Sequence, residues 1–303
     1  MAVWQATLVQ QLLAKNNFES ELVFIKSEGD IDLQTPLYEM GVQGVFTRSL
    51  DIALLTDKID IAVHSMKDVP TQLPKGIVQS AVLERASYKD IFVFKNSKII
   101  DSWSLKDVVL NSPLGAGGTI ATSSIRRKAQ WLNRYPNHSI ENLRGNVNTR
   151  LRKVQENNWN GAIFAAAGLE RINLRPENAI DLDWMLPAPA QGAIMVVCRE
   201  ADEFCLEACQ HFNHSETALC TTIERDFLKI LLGGCSTPIS ALAQIKGDEV
   251  YFRGNILSVD GKEKVAIEKI VKRNEAVKLG HTAAEEILTK GGDKIAAAIR
   301  NAK

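Results

Sequence analysis

The chain has 303 residues, and its 36 lysines and arginines balance its 36 aspartates and glutamates, so the formal net charge is zero. A balanced chain gives no overall reason to bind nucleic acid or an anionic membrane, so an anion site must come from local clustering. No apolar run reaches the length of a membrane span, and no signal peptide is predicted at the N-terminus. Five cysteines, an odd number, indicate reduced thiols in a cytosolic protein of about two domains.

The first part of the chain alternates between helices and strands. The pattern predicts helices over 2–15 and 45–56 and strands over 21–26, 59–64, 77–83 and 90–94. Trp4, Leu8 and Leu12 share one face of the first helix, with Val9 and Leu13 beside them. The order strand, helix, strand is typical of a parallel α/β sheet.

Polar residues follow the strand at 59–64, and Pro70 stops it. In open α/β sheets, ligands bind beyond the carboxyl ends of the strands, which is where His64, Ser65, Lys67 and Asp68 fall. These positions therefore predict a ligand site. Lys67 beside Asp68 is equally compatible with a surface ion pair.

A second α/β unit begins near residue 90 and contains three strand-to-helix junctions. The predicted helix caps are Thr122, Ser123 or Ser124 at the first junction and Asn148 or Thr149 at the second, and the third junction follows a strand over 161–166. Helix N-termini favour anions.

All three junctions carry arginine: Arg126 and Arg127, Arg144 and Arg150, and Arg171. Arginine at three successive junctions of one sheet indicates a pocket for a polyanion, although a single such arginine is usually a solvated side chain. Guanidinium pairs with carboxylate and phosphate alike, so these residues leave the two ligands open.

Pro187, Pro189 and Gly192 break the chain before an apolar strand at 193–197, which is predicted to return to the first unit. The sequence then predicts a helix over 215–232, antiparallel strands over 239–245, 249–257 and 264–271, and a helix from about 275. The fold class is therefore α/β, with two lobes like those of periplasmic binding proteins and a C-terminal α+β domain with a three-stranded antiparallel sheet.

One cysteine differs from the others in its setting. Cys235 lies in a Gly-Gly-Cys loop, where a thiol can be accessible, so it is a candidate covalent site. Cys205 and Cys209, followed by His211 and His214, could be drawn as a metal site, but no Cys-x-x-Cys pair supports one. Buried inert thiols are the favoured interpretation of the other cysteines.

Taken together, the motifs resemble the porphobilinogen deaminase family, and they fall in family order over nearly the whole chain. The matching segments are Trp4-Gln-Ala6, Thr35-Pro-Leu37, His64-Ser-Met-Lys-Asp-Val-Pro70, Thr122-Ser-Ser-Ile-Arg-Arg127, Leu143-Arg-Gly-Asn-Val-Asn-Thr-Arg150, Ala167-Gly-Leu-Glu-Arg171, Gln191-Gly-Ala193 and Gly233-Gly-Cys235.

The resemblance implies an enzyme of tetrapyrrole synthesis. Such an enzyme joins four porphobilinogen molecules head to tail with loss of ammonia, then releases linear hydroxymethylbilane. It also implies a covalent dipyrromethane cofactor on a thioether to Cys235, no metal or nucleotide, no nucleic-acid or membrane partner, and a cytoplasmic monomer. Asp68 would be the catalytic carboxylate.

Further residues are implied to bind the acetate and propionate groups of the pyrroles. They are Ser65, Lys67, Thr122, Ser123, Ser124, Arg126, Arg127, Arg144, Gly145, Arg150, Arg171 and Gln191.

The implied domains are a first lobe of 1–86 and 190–210, a second lobe of 87–189 and a third domain of 211–303. The sequence departs from the family pattern in three places. First, no strand with an Arg-x-x-x-Arg-x-Ser pattern precedes the first helix, and we expect its absence to remove ligands from the site. Second, Gln43 replaces a lysine. Third, Ala190 replaces a glycine.

Overall fold

The structure is a computed structural model that describes residues 1–26, 47–95, 117–231 and 237–301. The helices are α1 (Ala2–Lys15), α2 (Arg48–Leu55), α3 (Ile125–Arg134), α4 (Val147–Glu156), α5 (Ala166–Glu170), α6 (Glu203–Gln210), α7 (Ser215–Ile230), α8 (Leu279–Ile287) and α9 (Asp293–Asn301). The strands are β1 (Ile61–Ser65), β2 (Ile77–Val82), β3 (Asp90–Phe94), β4 (Thr119–Ala121), β5 (Ser139–Glu141), β6 (Gly161–Ala165), β7 (Ala179–Asp181), β8 (Ile194–Arg199), β9 (Ile239–Lys246), β10 (Glu249–Leu257) and β11 (Lys264–Lys272).

The first sheet has the order β1-β8-β2, and β8 runs antiparallel to both neighbours. The prediction that the strand after Gly192 returns to the first unit is confirmed. The prediction of a purely parallel sheet is wrong, because the returning strand lies between β1 and β2.

One local prediction for this lobe is also wrong. Residues 21–26 form no strand, and Val23 and Phe24 are largely exposed, so their apolar pattern is not matched by burial. The apolar face of helix α1 packs as predicted at Leu8, Val9, Leu12 and Leu13, whereas Trp4 is 37% exposed.

The second sheet has the order β5-β4-β6-β3-β7. Strand β4 pairs parallel with β5 and β6, whereas β3 pairs antiparallel with β6 and β7. Its central strands are apolar on both faces because helices cover both, and Trp131 of α3 is fully buried against Phe92. The predicted second α/β unit is confirmed.

The third unit is the predicted antiparallel meander, with the order β11-β10-β9, and α7 packs on it. The ring of Phe227 fills the space above Gly254, where a Cβ atom would lie 2.6 Å from it. The C-terminal helix is not continuous, because Gly291 adopts φ 100° between α8 and α9. No helix in the described ranges is long and apolar enough to cross a membrane.

These three sheets are consistent with two lobes and a third domain, although the exact boundaries at residues 86, 189 and 210 stay predictions.

Candidate active site

A cleft opens between the first and second lobes, where residues from both sheets and from the crossing at 191–193 meet. The predicted site residues that line it are Ser65, Lys67, Asp68, Arg127, Arg150, Arg171 and Gln191. The fold therefore brings residues more than 100 positions apart in sequence to one place.

The first-lobe wall is a tight turn at the end of β1. After Ser65 the backbone forms a short 3-10 helix over Met66–Asp68, which the Val69 N–H closes by donating to the Met66 carbonyl (3.2 Å). The Met66 N–H donates to the Ala193 carbonyl of the crossing (3.1 Å). The turn is thus fixed at both ends and presents Lys67 and Asp68 to the cleft.

Lys67 lies in a crowded electrostatic setting. Burial lowers the pKa of Lys67, and the neighbouring carboxylate of Asp68 partly opposes that shift. The guanidinium of Arg127 lowers the pKa of Lys67 further. Positive charge from Lys67 and Arg127 therefore lies close to the carboxylate of Asp68.

The first junction of the second lobe is built on a buried carboxylate. Asp90, fully buried at the start of β3, accepts from Arg126 Nη2 (2.7 Å) through Oδ2 and from Arg127 Nη2 (2.8 Å) and Nε (3.1 Å) through Oδ1. Burial would raise the pKa of Asp90, but the two guanidinium groups and a hydrogen bond from Gln191 outweigh it and hold the pKa at about 2. Asp90 is therefore an anion that sets the arrangement of both arginines.

The two arginines differ in what remains for a ligand. Arg126 Nη1 donates to the Leu186 carbonyl (2.6 Å), its Nε is buried without a hydrogen-bond partner, and it does not line the cleft. Arg127 donates from Nη1 to the Ile163 carbonyl (3.1 Å) and does line the cleft. Of this pair, Arg127 is the one placed to meet a ligand.

The hydroxyl groups at this junction are used within the protein. Of the three predicted alternatives, Ser124 is the N-cap of α3, and its side chain accepts from the Arg127 N–H. Ser123 Oγ donates to the Leu143 carbonyl (2.5 Å), and Thr122 Oγ1 accepts from the Ser124 N–H (3.2 Å). None of the three hydroxyl residues lines the cleft.

The second junction is capped by a residue that the sequence analysis did not choose. Asn146, not Asn148 or Thr149, is the N-cap of α4, and its Oδ1 accepts from the Thr149 N–H (2.9 Å). Gly145 precedes it at φ +112°, and a Cβ there would lie 2.8 Å from Thr149 Cγ2. The helix begins earlier than predicted because this glycine makes the turn and frees Asn146 to cap.

Arg150 lies in the first turns of α4 and lines the cleft, and its Nε donates to the Gly145 carbonyl (2.7 Å). Burial and then the charges of Arg127 and Arg144 lower the pKa of Arg150 to about 10, with Asp68 opposing the shift. It remains charged at neutral pH, so a bound anion would relieve repulsion among these cations. Arg144 itself does not line the cleft, and its carbonyl accepts from Lys153 Nζ (3.2 Å).

The third junction corrects one prediction. Arg171 follows α5 at its C-terminal end, because that helix spans only Ala166–Glu170, so Arg171 is not at a helix N-terminus. Its Nη2 donates to the Gly192 carbonyl (2.7 Å), and its guanidinium lies over the ring of Trp4, 5.6 Å from the centroid. Arg171 thus lines the cleft while it links the second lobe to the crossing and to α1.

Some predictions fall on residues that the structure does not describe. Cys235, Gln43, the segment Thr35–Leu37 and the first two residues of the helix predicted at 45–56 lie outside the described residues.

Sequence reasoning missed four charged residues that support the cleft: Asp90, Arg85, Glu224 and Arg225. Asp90 could have been found as the acidic residue that opens an otherwise apolar strand. Ile223 and Phe227 on α7 are fully buried, and the charged residues Glu224 and Arg225 lie between them in the sequence. Charged side chains at such positions need partners within the protein, so this pattern in the sequence indicates a buried polar network.

Two family models match the chain. Residues 1–207 match the porphobilinogen deaminase, dipyromethane cofactor binding domain, and residues 218–289 match the porphobilinogen deaminase, C-terminal domain. A porphobilinogen deaminase from Campylobacter hominis is 38% identical over 297 residues, which cover 96% of this chain and 92% of the relative. Another, from Desulforamulus reducens, is 37% identical over 304 residues, covering 99% and 95%.

Among solved structures, the VFT2 domain of Bordetella pertussis BvgS (double mutant F375E/Q461E) is similar over 69% of this chain and 76% of its own. The TM-score is 0.40 at 11% sequence identity, which is too low to bear on fold or function.

Proposed function

Because this chain belongs to the porphobilinogen deaminase family, we propose that it is a hydroxymethylbilane synthase, a transferase of tetrapyrrole synthesis. It condenses four porphobilinogen molecules head to tail, releases one ammonia for each, and finally releases the linear tetrapyrrole by hydrolysis. The observation that carries the proposal is the cleft itself, which sets the carboxylate of Asp68 among the cationic groups of Lys67, Arg127 and Arg150.

The enzyme uses a dipyrromethane cofactor, which supplies the primer to which porphobilinogen units are added. We assign its thioether to Cys235. Each pyrrole of the cofactor carries an acetate and a propionate, and the crowded cations around Arg150 fit such a polycarboxylate. Arg127, Arg150, Arg171 and Lys67 would hold these carboxylates.

Asp68 has the catalytic role in this proposal. In each condensation the aminomethyl C–N bond of porphobilinogen breaks, and the electron pair leaves with nitrogen as ammonia. A carbon–carbon bond then forms between that methylene and the free α-carbon of the acceptor pyrrole, and the same α-carbon loses its proton. Asp68 accepts a hydrogen bond from the pyrrole N–H and stabilises the positive charge that develops as ammonia departs. A fixed anion beside a developing cation is most effective where water is excluded, as in a cleft between two lobes.

The remaining sequence-predicted residues have a supporting role in this proposal. None of these residues lines the cleft: Thr122, Ser123, Ser124, Arg126, Arg144 and Gly145. Ser65 and Gln191 line the cleft, and both also bind protein groups, Gln5 and Asp90 respectively.

The proposal includes a monomer that works in the cytoplasm without a nucleic-acid or membrane partner. The free thiols of Cys198, Cys205, Cys209 and Cys220 are consistent with a reducing compartment.

The test is the intact mass of the purified protein beside that of Cys235→Ser. We expect two linked pyrrole units on the unsubstituted chain and none on the variant. If the unsubstituted chain carries no adduct, it is incubated with porphobilinogen and weighed again. An apoenzyme gains pyrrole units at Cys235, whereas a chain that stays bare contradicts the proposal.

A further inference from the structure

Helix α7 belongs to the third unit, yet one of its side chains holds the turn that carries Asp68. Arg225 is half-buried between Ile223 and Phe227, which fix α7 on the third sheet. Its Nη1 donates to the carbonyls of Met66 (3.3 Å) and Val69 (3.0 Å). Its Nη2 donates to the carbonyl of Pro70 (2.6 Å).

These carbonyls belong to residues on both sides of Lys67 and Asp68. Val69 is 3% exposed, and neither it nor Pro70 lies in a strand that would pair its carbonyl. A buried acceptor left without a donor is destabilising, because it has lost its hydrogen bonds to water and gained none in return. A planar guanidinium can serve several such acceptors at once, whereas a lysine ammonium is a point charge without that fork geometry.

The neighbouring residue Glu224 anchors the turn of α7 that carries Arg225. Glu224 is fully buried and accepts from Arg85 Nη1 (2.6 Å) and Nη2 (3.0 Å). It also accepts from the N–H groups of Ala190 (2.6 Å) and Ala243 (2.8 Å). One turn of α7 is therefore bound to the crossing between the lobes, to the third sheet and to the Asp68 turn.

We propose that Arg225 is a positioning residue for Asp68, acting through the backbone of residues 66–70. This proposal rests on the function proposed above. Arg225 does not line the cleft, so it acts on the reaction by fixing where the carboxylate stands. Without it the turn keeps its own Val69-to-Met66 hydrogen bond but loses the clamp on both sides of Asp68.

The test compares Arg225→Gln and Arg225→Lys with the unsubstituted holoenzyme. We expect Arg225→Gln to retain the covalent pyrrole adduct and to lower kcat about 10²-fold, because a small displacement of a reacting group has effects of that order. KM should stay within about threefold, since the arginines that bind the ligand are untouched. The kcat of Arg225→Lys should lie between those of the unsubstituted enzyme and Arg225→Gln, because lysine restores part of the set of hydrogen-bond donors.

Arg199→Gln is the matched control. Arg199 also donates from Nη1 to two backbone carbonyls of the first lobe, those of Leu54 (3.2 Å) and Ile59 (2.7 Å), but it lines no part of this cleft. We expect it to lower the melting temperature by a similar amount and to leave kcat unchanged. An equal loss of kcat in both variants would make the effect of Arg225 one of general stability and overturn the proposal.

A double-mutant cycle separates positioning from other roles. If Arg225 acts through Asp68, adding Arg225→Gln to Asp68→Asn should lower kcat by less than about threefold more. A full additional loss of about 10²-fold would show that Arg225 acts elsewhere. If Arg225→Gln does not fold, the same cycle is run with Arg225→Lys.

Amide hydrogen exchange keeps this proposal distinct from the proposed function. Peptides that cover residues 66–71 should exchange faster in Arg225→Gln, because the clamp on that backbone is lost. This holds whether or not the protein consumes porphobilinogen. An inactive chain with faster exchange would contradict the proposed function only, whereas an active chain with unchanged exchange and unchanged kcat would contradict the role of Arg225 only.

Discussion

The two walls of the cleft are held in different ways. The first-lobe wall presents one carboxylate, Asp68, on a three-residue turn that Arg225 of the third unit clamps from outside. The second-lobe wall presents Arg127, which Asp90 of the same lobe holds from behind. The position of the carboxylate therefore depends on how the third unit docks, whereas the position of Arg127 depends on a carboxylate of its own lobe.

The largest effect should come from the single carboxylate of the first wall. Asp68→Asn keeps the size of the side chain but removes its charge, so the developing cation loses its partner. We expect kcat to fall about 10²- to 10⁴-fold with little change in melting temperature. Steady-state release of hydroxymethylbilane measures it.

Asp60→Asn is the control for that substitution, because Asp60 directly precedes β1 and its side chain is 74% exposed. It should leave turnover near that of the unsubstituted enzyme. If Asp68→Asn turned over at the normal rate, the first wall would have no catalytic carboxylate and the contrast between the walls would disappear.

The next effect should come from the carboxylate behind the second wall. Asp90→Asn leaves Arg126 and Arg127 buried without their counter-charge, and breaking a buried ion pair on one side costs about 3–5 kcal/mol. We expect the free energy of unfolding in denaturant to drop by that amount. Asp183→Asn, which removes an exposed partner of Lys89, should change it little. Equal stability of the Asp90 and Asp183 variants would mean that the arginines hold their places without Asp90.

One titratable group from each lobe, His64 and Asp90, should make the free energy of unfolding depend on pH, each in a different pH range. Burial lowers the pKa of His64, on β1, from 6.5 to about 4, so the unfolded chain binds more protons between these values. Stability from a neutral His64 is present above pH 6.5 and falls by about 3 kcal/mol as the pH drops to 4. Asp90, with a pKa of about 2 against 3.8, gives stability that is lost only as the pH falls from about 4 towards 2.

Unfolding in denaturant at a series of pH values measures both windows. His64→Gln should flatten the slope between pH 6.5 and 4 and leave the slope below pH 4 unchanged. A His64 variant with the original slope would assign that window to other groups.

Much of this arrangement follows from local sequence. The turn after β1, the Ser124 cap and the meander of the third unit are set by short patterns, and each was predicted. The position of β8 between β1 and β2 could not be predicted, because pairing between strands more than 100 residues apart depends on the whole lobe. The roles of Asp90 and Arg225 were missed for the same reason: their partners are distant in sequence, and one charged residue on an apolar face does not say which group it meets.

The smallest effect should distinguish the two arginines of the second junction, Arg144 and Arg150. Arg150 lines the cleft among other cations, whereas Arg144 does not line it. Arg150→Leu should raise KM for porphobilinogen about 10- to 100-fold, the value of a hydrogen bond to a charged group. Arg144→Leu should raise it about threefold, as expected for a charge that acts from a distance. Arg150→Lys keeps the charge but loses the fork, so an intermediate KM would show that guanidinium geometry contributes to binding. The reverse ranking of Arg144 and Arg150 would mean that the ligand engages the loop before α4 rather than the cleft face of the helix.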